Sequence, residues 1–509
     1  MTAPADLVLR DGEVHTLADP DETHEAVAVR DGDIVRVGST YEVDFLVGVD
    51  TEVIDLDGRT VLPGFVDAHT HLRVVGRRQV NADLGGASGP EDCAARLRAA
   101  ADAREEWILG FGYDESEWGG DYLTRETLDA VSTERPVAAF REDLHVASVN
   151  SVALGRLRED FPEDDVRTED GDPTGVLVED AAQVVFEAVD PGLEGTRDLL
   201  RAAQERALEL GVTGVHEMIR NDNDPRVYRE MALAGDLDLR VRLNYWSSYL
   251  DAVEKVGLRT NFGSDRLRVG GIKTFTDGSL GGRTAKLSEP YADGEGRGNW
   301  VVDPADLRTL ADRAADLDLQ LCAHAIGDEA IDAALSTYEA VGDGEDARHR
   351  IEHAEILTDD LVARLADSDV VVSMQPNFLK WAREDGLYES RLDERRTRES
   401  NRFRDLLDAG ARLAFGSDCM PLGPLFGVQQ AVTAPAEAQR LTVTEALRAY
   451  TRGAALAGFD EDRLGTVEPG KRGDLVVLAD SPWAVEPRDI ADIDVSMTLI
   501  DGEIAHQGT

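Results

Sequence analysis

The chain reads as an α/β protein, a closed (β/α)8 barrel of the TIM type joined to a small β-sandwich built from its N- and C-terminal segments. Three observations carry that reading. Eight apolar runs of strand length alternate with helical patterns through the middle of the chain, the signature of parallel βα units. Turn-punctuated strand patterns occur at both ends, each too short for a core of its own. At 509 residues the chain is also long enough for a barrel and a smaller module.

At the N-terminal end, residues 6–60 read as short strands. Alternation appears in Ala26-Val27-Ala28-Val29-Arg30 and Ile34-Val35-Arg36-Val37, and Asp11-Gly12 and Asp31-Gly32 mark tight turns. Asp474-Leu475-Val476-Val477-Leu478 and Met497-Thr498-Leu499-Ile500, with the turn Asp501-Gly502, repeat the pattern near the other end. Residues 1–60 and 460–509 are therefore expected to pair as one composite sandwich, with the barrel over 61–459. The eight candidate barrel strands are 61–71, 212–218, 239–246, 267–275, 319–325, 349–356, 370–375 and 412–417. The stretch from about 85 to 200 is too long for a loop and should be an inserted cap. A barrel places its site at the C-terminal ends of the strands.

Composition narrows the setting. The chain has 101 acidic against 53 basic residues, a formal net charge of -48. Only five residues are lysine (Lys255, Lys273, Lys286, Lys380, Lys471), leaving 48 arginines among the 53. Such a charge repels itself in dilute buffer. In molar salt the screening length falls to about 3 Å and the repulsion largely disappears. The composition suits a high-salt interior such as that of a halophilic archaeon, and the carboxylates are spread along the chain rather than gathered in one tail. Nucleic acid is excluded as a natural partner, since phosphate binding needs the opposite charge. Three scattered cysteines, Cys93, Cys322 and Cys419, suit a reduced cytosol. The first residues lack a signal-peptide pattern, and no run of 18 apolar residues occurs. A cytoplasmic protein without a membrane partner is expected; a homodimer is left open.

The histidines sort by position. His15, His24 and His506 lie in the terminal β pieces. His69 and His71 fall on the first run, His324 on the fifth and His353 on the sixth, and Asp418 follows the eighth. Residues two apart on a strand face the same way. Two imidazoles converging at a barrel mouth are costly without a ligand, and a divalent ion, with a carboxylate completing the set, explains them. Lys273 ends the fourth run. In a chain that has nearly abandoned lysine, a desolvated amine that becomes neutral could form a carbamate with carbon dioxide and serve as an anionic ligand. A lysine reaching the rim, or paired with Asp277, is the equal alternative.

The phrase Leu62-Pro63-Gly64-Phe65-Val66-Asp67-Ala68-His69-Thr70-His71 resembles the first-strand signature of the amidohydrolase superfamily. The chain is most similar to its YtcJ-like branch, which includes N-substituted formamide deformylases. Matching segments include Gly110-Phe111-Gly112-Tyr113-Asp114 with Trp118, His145 with Asn150-Ser151, and Gly211-Val212-Thr213-Gly214-Val215-His216. They continue through Lys273-Thr274-Phe275-Thr276-Asp277-Gly278, His324-Ala325-Ile326-Gly327-Asp328, Arg350-Ile351-Glu352-His353-Ala354, Ser373-Met374-Gln375-Pro376-Asn377 and Gly416-Ser417-Asp418.

The resemblance implies a metal-dependent hydrolase barrel acting on C–N bonds other than peptide bonds. His69 and His71 would bind the more buried ion with Asp418 beside it. His324 and His353 would bind a second ion or orient substrate, and a carboxylated Lys273 would bridge two ions. One ion or two is left open, with zinc the expected metal. Asp418 would take a proton from water and pass it to the leaving nitrogen, and His353 or His324 would stabilise the oxyanion. A small-molecule amide or N-formyl compound is expected as substrate, with Asp114, Trp118, His145, Asp277, Arg283 and Gln375 as pocket candidates: Trp118 an apolar wall, Arg283 a carboxylate clamp. His216 reads equally as a supporting or a core residue. Two alternatives are weighed: a deaminase of the same superfamily, and a non-catalytic metal-binding relative. Deaminases carry a glutamate three residues after the fifth-strand histidine, where this chain has Gly327.

Overall fold

The barrel strands are buried along most of their length because parallel strands are covered on both faces, and the order of the eight strands follows the order of the chain. The computed structural model describes residues 3–101, 106–142, 144–341, 347–383 and 386–508. The barrel strands are Phe65–Thr70, Val212–Ile219, Arg240–Trp246, Leu267–Phe275, Gln320–Ala325, Arg350–His353, Val371–Met374 and Arg412–Phe415. They pair in parallel in one eight-stranded sheet. Two hydrogen bonds join the eighth strand's end to the first: Asp418 N–H donates to His69 O at 2.7 Å and Ser417 N–H to Asp67 Oδ1 at 3.0 Å. This seam places the carboxylate beside the histidine pair.

The first run is not one strand. Thr60–Pro63 belongs to the sandwich and Phe65–Thr70 to the barrel. The break falls at Gly64, where a Cβ would lie 2.3 Å from the Thr213 side chain. The chain changes sheets where a neighbouring strand leaves room for no side chain.

The sandwich has a four-stranded sheet, in the order Asp33–Gly38, Ala26–Arg30, Leu7–Arg10, Glu52–Asp55. Its six-stranded partner includes Glu13–His15 and Thr60–Pro63 from one end of the chain and Leu475–Leu478, Val495–Ile500 and Glu503–Gln507 from the other. Leu475–Leu478 pairs antiparallel with Thr60–Pro63. Leu7, Leu9, Val27 and Val29 pack on Val14, Val61, Leu475, Val477 and Leu499 between the sheets. The alternating residues Ala26 and Ala28 are also buried, packed with Val8 and Val43, so this strand is covered on both faces. Below the barrel, Arg240 forks onto Asp474 at 2.6 and 2.8 Å, tying the third barrel strand to the C-terminal segment.

The chain divides into two compact units, Met1–His71 with Glu205–Thr509, and Leu72–Gln204. The second has a six-stranded mixed sheet: Val166–Glu169, Asp172–Val178, Val146–Val149, Val137–Arg141, Ile108–Tyr113 and Ala82–Asp83. Its apolar core includes Phe111, Phe140, Val149 and Leu177. No helix among the described residues is long and apolar enough to cross a membrane.

Candidate metal centre

Three side chains meet at the barrel mouth. His69 Nε2 lies 3.7 Å and His71 Nε2 3.3 Å from Asp418 Oδ1. One ligand atom from each of the three falls within 4.8 Å of the others, the one such group of His, Cys, Asp and Glu among the described residues. Two ligands sharing an ion at about 2.0–2.2 Å lie roughly 3–4 Å apart, so the spacing fits a shared cation. His353 follows, its ring 4.9 Å from that of His69, and His324 is 4.5 Å beyond it.

Each imidazole is fixed through one nitrogen. His69 Nδ1–H donates to Glu352 Oε2 at 2.7 Å, His71 Nδ1–H to Met218 O at 3.1 Å, and His353 Nδ1–H to Gln375 Oε1 at 2.7 Å. His324 Nε2–H donates to Gly278 O at 2.9 Å. In the neutral form of each ring the other nitrogen carries the lone pair that a metal requires. Burial holds His69, His324 and His353 well below the usual imidazole range, and the nearby Lys273 charge adds to it.

Behind His69 stands a buried acid–base pair that the sequence did not announce. Arg350 contacts both Glu352 oxygens, at 2.7 and 3.0 Å, and donates to Ser373 Oγ at 3.0 Å and Ala68 O at 2.5 Å. Burial alone would raise the Glu352 carboxyl, but Arg350 and Lys273 outweigh it and hold it low. Glu352 therefore accepts from His69 as an anion. His216 Nδ1 accepts from Arg350 Nη1 at 2.8 Å, which gives that histidine a supporting place in the interior. Asp67 accepts from the N–H groups of His69 and Ser417 at 3.0 Å each; burial lifts its carboxyl to about 7. Asp418 is likewise opposed by burial, yet His69, His71 and Lys273 hold its carboxyl below the usual range. His353 and Asp418 both take positive φ, 74° and 50°. Non-glycine residues hold that conformation at a cost, and such positions cluster at functional sites.

Lys273 is 1% exposed, and its Nζ has no hydrogen-bond partner among the described residues. Burial pushes the ammonium down to about 8. It does not pair with Asp277. That aspartate accepts instead from the N–H groups of Ile326, Gly327 and Lys286 at 3.0, 2.9 and 2.8 Å, latching the loops around it, with its carboxyl raised by burial to about 7.

The remaining pocket candidates each have partners of their own. Gln375 is turned onto His353. Arg283 is held by Asp293, at 3.1 and 2.6 Å, so its fork is committed to a surface acid and the carboxylate-clamp expectation gives way to that ion pair. Asp114, Trp118 and His145 belong to the Leu72–Gln204 unit. There Asp114 lies 3.5 Å from Arg141, Trp118 packs against that unit's core, and His145 meets Glu179 at 3.0 Å.

Residues 52–506 match the model of the amidohydrolase family. The chain belongs to the amidohydrolase family. YtcJ of Bacillus subtilis (strain 168) is 31% identical over 97% of this chain and 98% of its own length. The N-substituted formamide deformylase of Arthrobacter pascens is 27% identical over 100% of both. Among solved structures, an uncharacterized metal-dependent hydrolase from Pyrococcus horikoshii OT3 superposes with a TM-score of 0.81 at 31% identity. That match covers 94% of this chain and 99% of the other.

Proposed function

We propose that the protein is a metal-dependent hydrolase, with zinc as its ion, that cleaves the C–N bond of a small amide or N-formyl compound. The observation that carries the reading is the convergence of His69, His71 and Asp418, with His353, His324 and Lys273 next to them. Neutral imidazoles, an ionised carboxylate and a buried, unpartnered amine form a donor set suited to zinc. His69, His71 and Asp418 would hold the first ion; His324, His353 and Lys273 are placed for a second. A bound divalent ion supplies Lewis acidity, which makes water acidic near neutral pH and polarises a carbonyl.

The chain's own residues do the rest. Asp418 turns Oδ1 to both imidazoles, and its carboxylate is ionised and able to accept the proton of an attacking water at Oδ2. The same group can return that proton to the departing nitrogen. His353 serves as a ligand rather than an oxyanion donor, because its proton sits on Nδ1 against Gln375 and burial keeps the ring neutral.

The deaminase alternative is disfavoured by packing as well as by sequence. A Cβ at Gly327 would lie 2.0 Å from Lys286 O, so the glutamate of a deaminase has no room there. Metal analysis by mass spectrometry, beside a hydrolysis screen in molar KCl, tests the proposal. The screen should span N-formyl, N-acyl, cyclic-imide and aminopyrimidine compounds. Bound zinc and amine release from amides are expected; ammonia from aminopyrimidines alone, or metal without turnover on any amide, overturns the proposal.

A further inference from the structure

Arg220 stands one residue beyond the second barrel strand, Val212–Ile219, and its side chain is exposed. Its guanidinium lies over the Trp246 ring at 4.4 Å and 5.5 Å from the centre of the Phe275 ring. Phe275 is also the ring that Lys273 Nζ approaches to 5.2 Å and that His324 stacks upon at 4.2 Å. One aromatic side chain therefore separates Arg220 from the reacting centre.

Among the described residues no carboxylate pairs with Arg220, whose guanidinium is held by aromatic rings instead. The chain carries nearly two acids per base, and other arginines near the barrel are held by carboxylates, among them Arg240 by Asp474, Arg242 by Asp460 and Arg283 by Asp293. The Arg220 guanidinium makes no hydrogen bond or ion pair among the described residues. Surrounding protein depresses its pKa, and the only carboxylate opposing that effect is Asp418. A guanidinium gripped by aromatic faces is oriented without using its in-plane N–H groups. Those groups form a planar fork that matches a carboxylate.

We propose that Arg220 is the substrate's anion clamp, so that the preferred substrate is an amide carrying a carboxylate a few bonds from the scissile carbonyl. The proposal rests on the amide-hydrolase reading for its amide part alone; the anion site stands on the Arg220 geometry. It places substrate selection on the barrel itself, in the position left open by Arg283.

The test compares matched probes on metal-loaded protein at one fixed KCl concentration. By calorimetry, 3-phenylpropionate is expected to bind at least tenfold more tightly than 3-phenylpropanamide, a charge-assisted bond being worth about 1.5–3 kcal/mol. Arg220→Met should erase that preference and Arg220→Lys should restore part of it. In turnover, N-formylphenylalanine should exceed N-formyl-2-phenylethylamine in kcat/KM, mainly through KM, and the ratio should collapse toward unity in Arg220→Met. Equal carboxylate binding by wild type and Arg220→Met, or hydrolysis of the neutral amide with no preference for the acid, overturns the clamp while leaving the amide-hydrolase reading intact. Carboxylate binding that depends on Arg220, with no amide turned over, upholds the anion site and removes the amide-hydrolase reading.

Discussion

At the scale of single residues, the proposed function divides the site into groups that would hold the ion, groups that would react and groups that would orient them. Asp418→Asn keeps the shape of the side chain and loses the proton acceptor. It should retain most of the bound metal, measured by mass spectrometry, while kcat falls by about two decades or more; near-wild-type turnover would remove Asp418 from proton transfer. Lys273 raises a separate question, because an amine pushed down to about 8 is partly neutral at the pH of most assays. If its carbamate is the working ligand, Lys273→Ala should lose activity, and short carboxylic acids such as acetate or propionate should recover part of it by occupying the vacated space. Absence of any recovery, with metal content intact, would leave the lysine as a buried cation. Glu352 acts through His69. Glu352→Gln would leave Arg350 without its counter-ion and His69 without an anionic acceptor. The expected result is metal affinity lowered about 10- to 100-fold and a stability loss of about 3–5 kcal/mol, read by metal titration and denaturant melts.

At the scale of elements, the seam between the first and eighth barrel strands decides whether the site exists. Gly416 is what lets the strands close: a Cβ there would lie 2.4 Å from His69 N and 2.9 Å from Asp67 Oδ1. Gly416→Ala must push Ser417 and Asp418 outward, breaking the bonds from Ser417 N–H to Asp67 and from Asp418 N–H to His69. A loss of about 1–3 kcal/mol is typical of such overpacking, and metal should dissociate below the concentration at which the whole chain unfolds. Loss of metal and structure in one step would deny the seam its separate role. The barrel itself was legible because apolar runs and helical patterns alternate along the chain. The convergence of His69 and His71 was legible because strand alternation puts them on one face. Where alternation fails, so does the reading. The positive φ of His353 interrupts the strand repeat after Glu352, so an acid adjacent to a candidate-site histidine gave no periodic signal of its own. The Arg350-x-Glu352 spacing inside an apolar run was the available hint. Gly64 hid a change of sheet inside what reads as one continuous strand, since the steric reason lies on Thr213, about 150 residues away in sequence. Arg220 lies just past a strand end, where no periodicity applies and only the facing rings of Trp246 and Phe275 reveal its setting.

At the scale of the whole molecule, salt acts in two opposing directions. It weakens ion pairs, of which the surface shows many, such as Arg364 with Asp332 and Glu339 or Arg313 with Asp251 and Glu254. It also screens the mutual repulsion of a chain at -48. Exposed pairs contribute only about 0.2–1 kcal/mol each, and the buried Arg240–Asp474 and Arg242–Asp460 contacts are shielded from solvent ions. The repulsion is long-ranged and involves every uncompensated carboxylate, so its relief should win. The thermal midpoint should therefore rise with KCl, steeply up to about 1 M and less beyond, because the screening length has by then shrunk from about 10 Å at 0.1 M to about 3 Å. A triple replacement of exposed acids remote from the metal centre, Asp50→Asn, Asp316→Asn and Asp480→Asn, separates this cause from a general salting-out of apolar surface. It should raise the midpoint at 0.1 M KCl and change it little at 2 M. If the variant and the parent keep the same offset at both concentrations, or the parent's midpoint is flat across the range, net charge is not what ties this fold to salt.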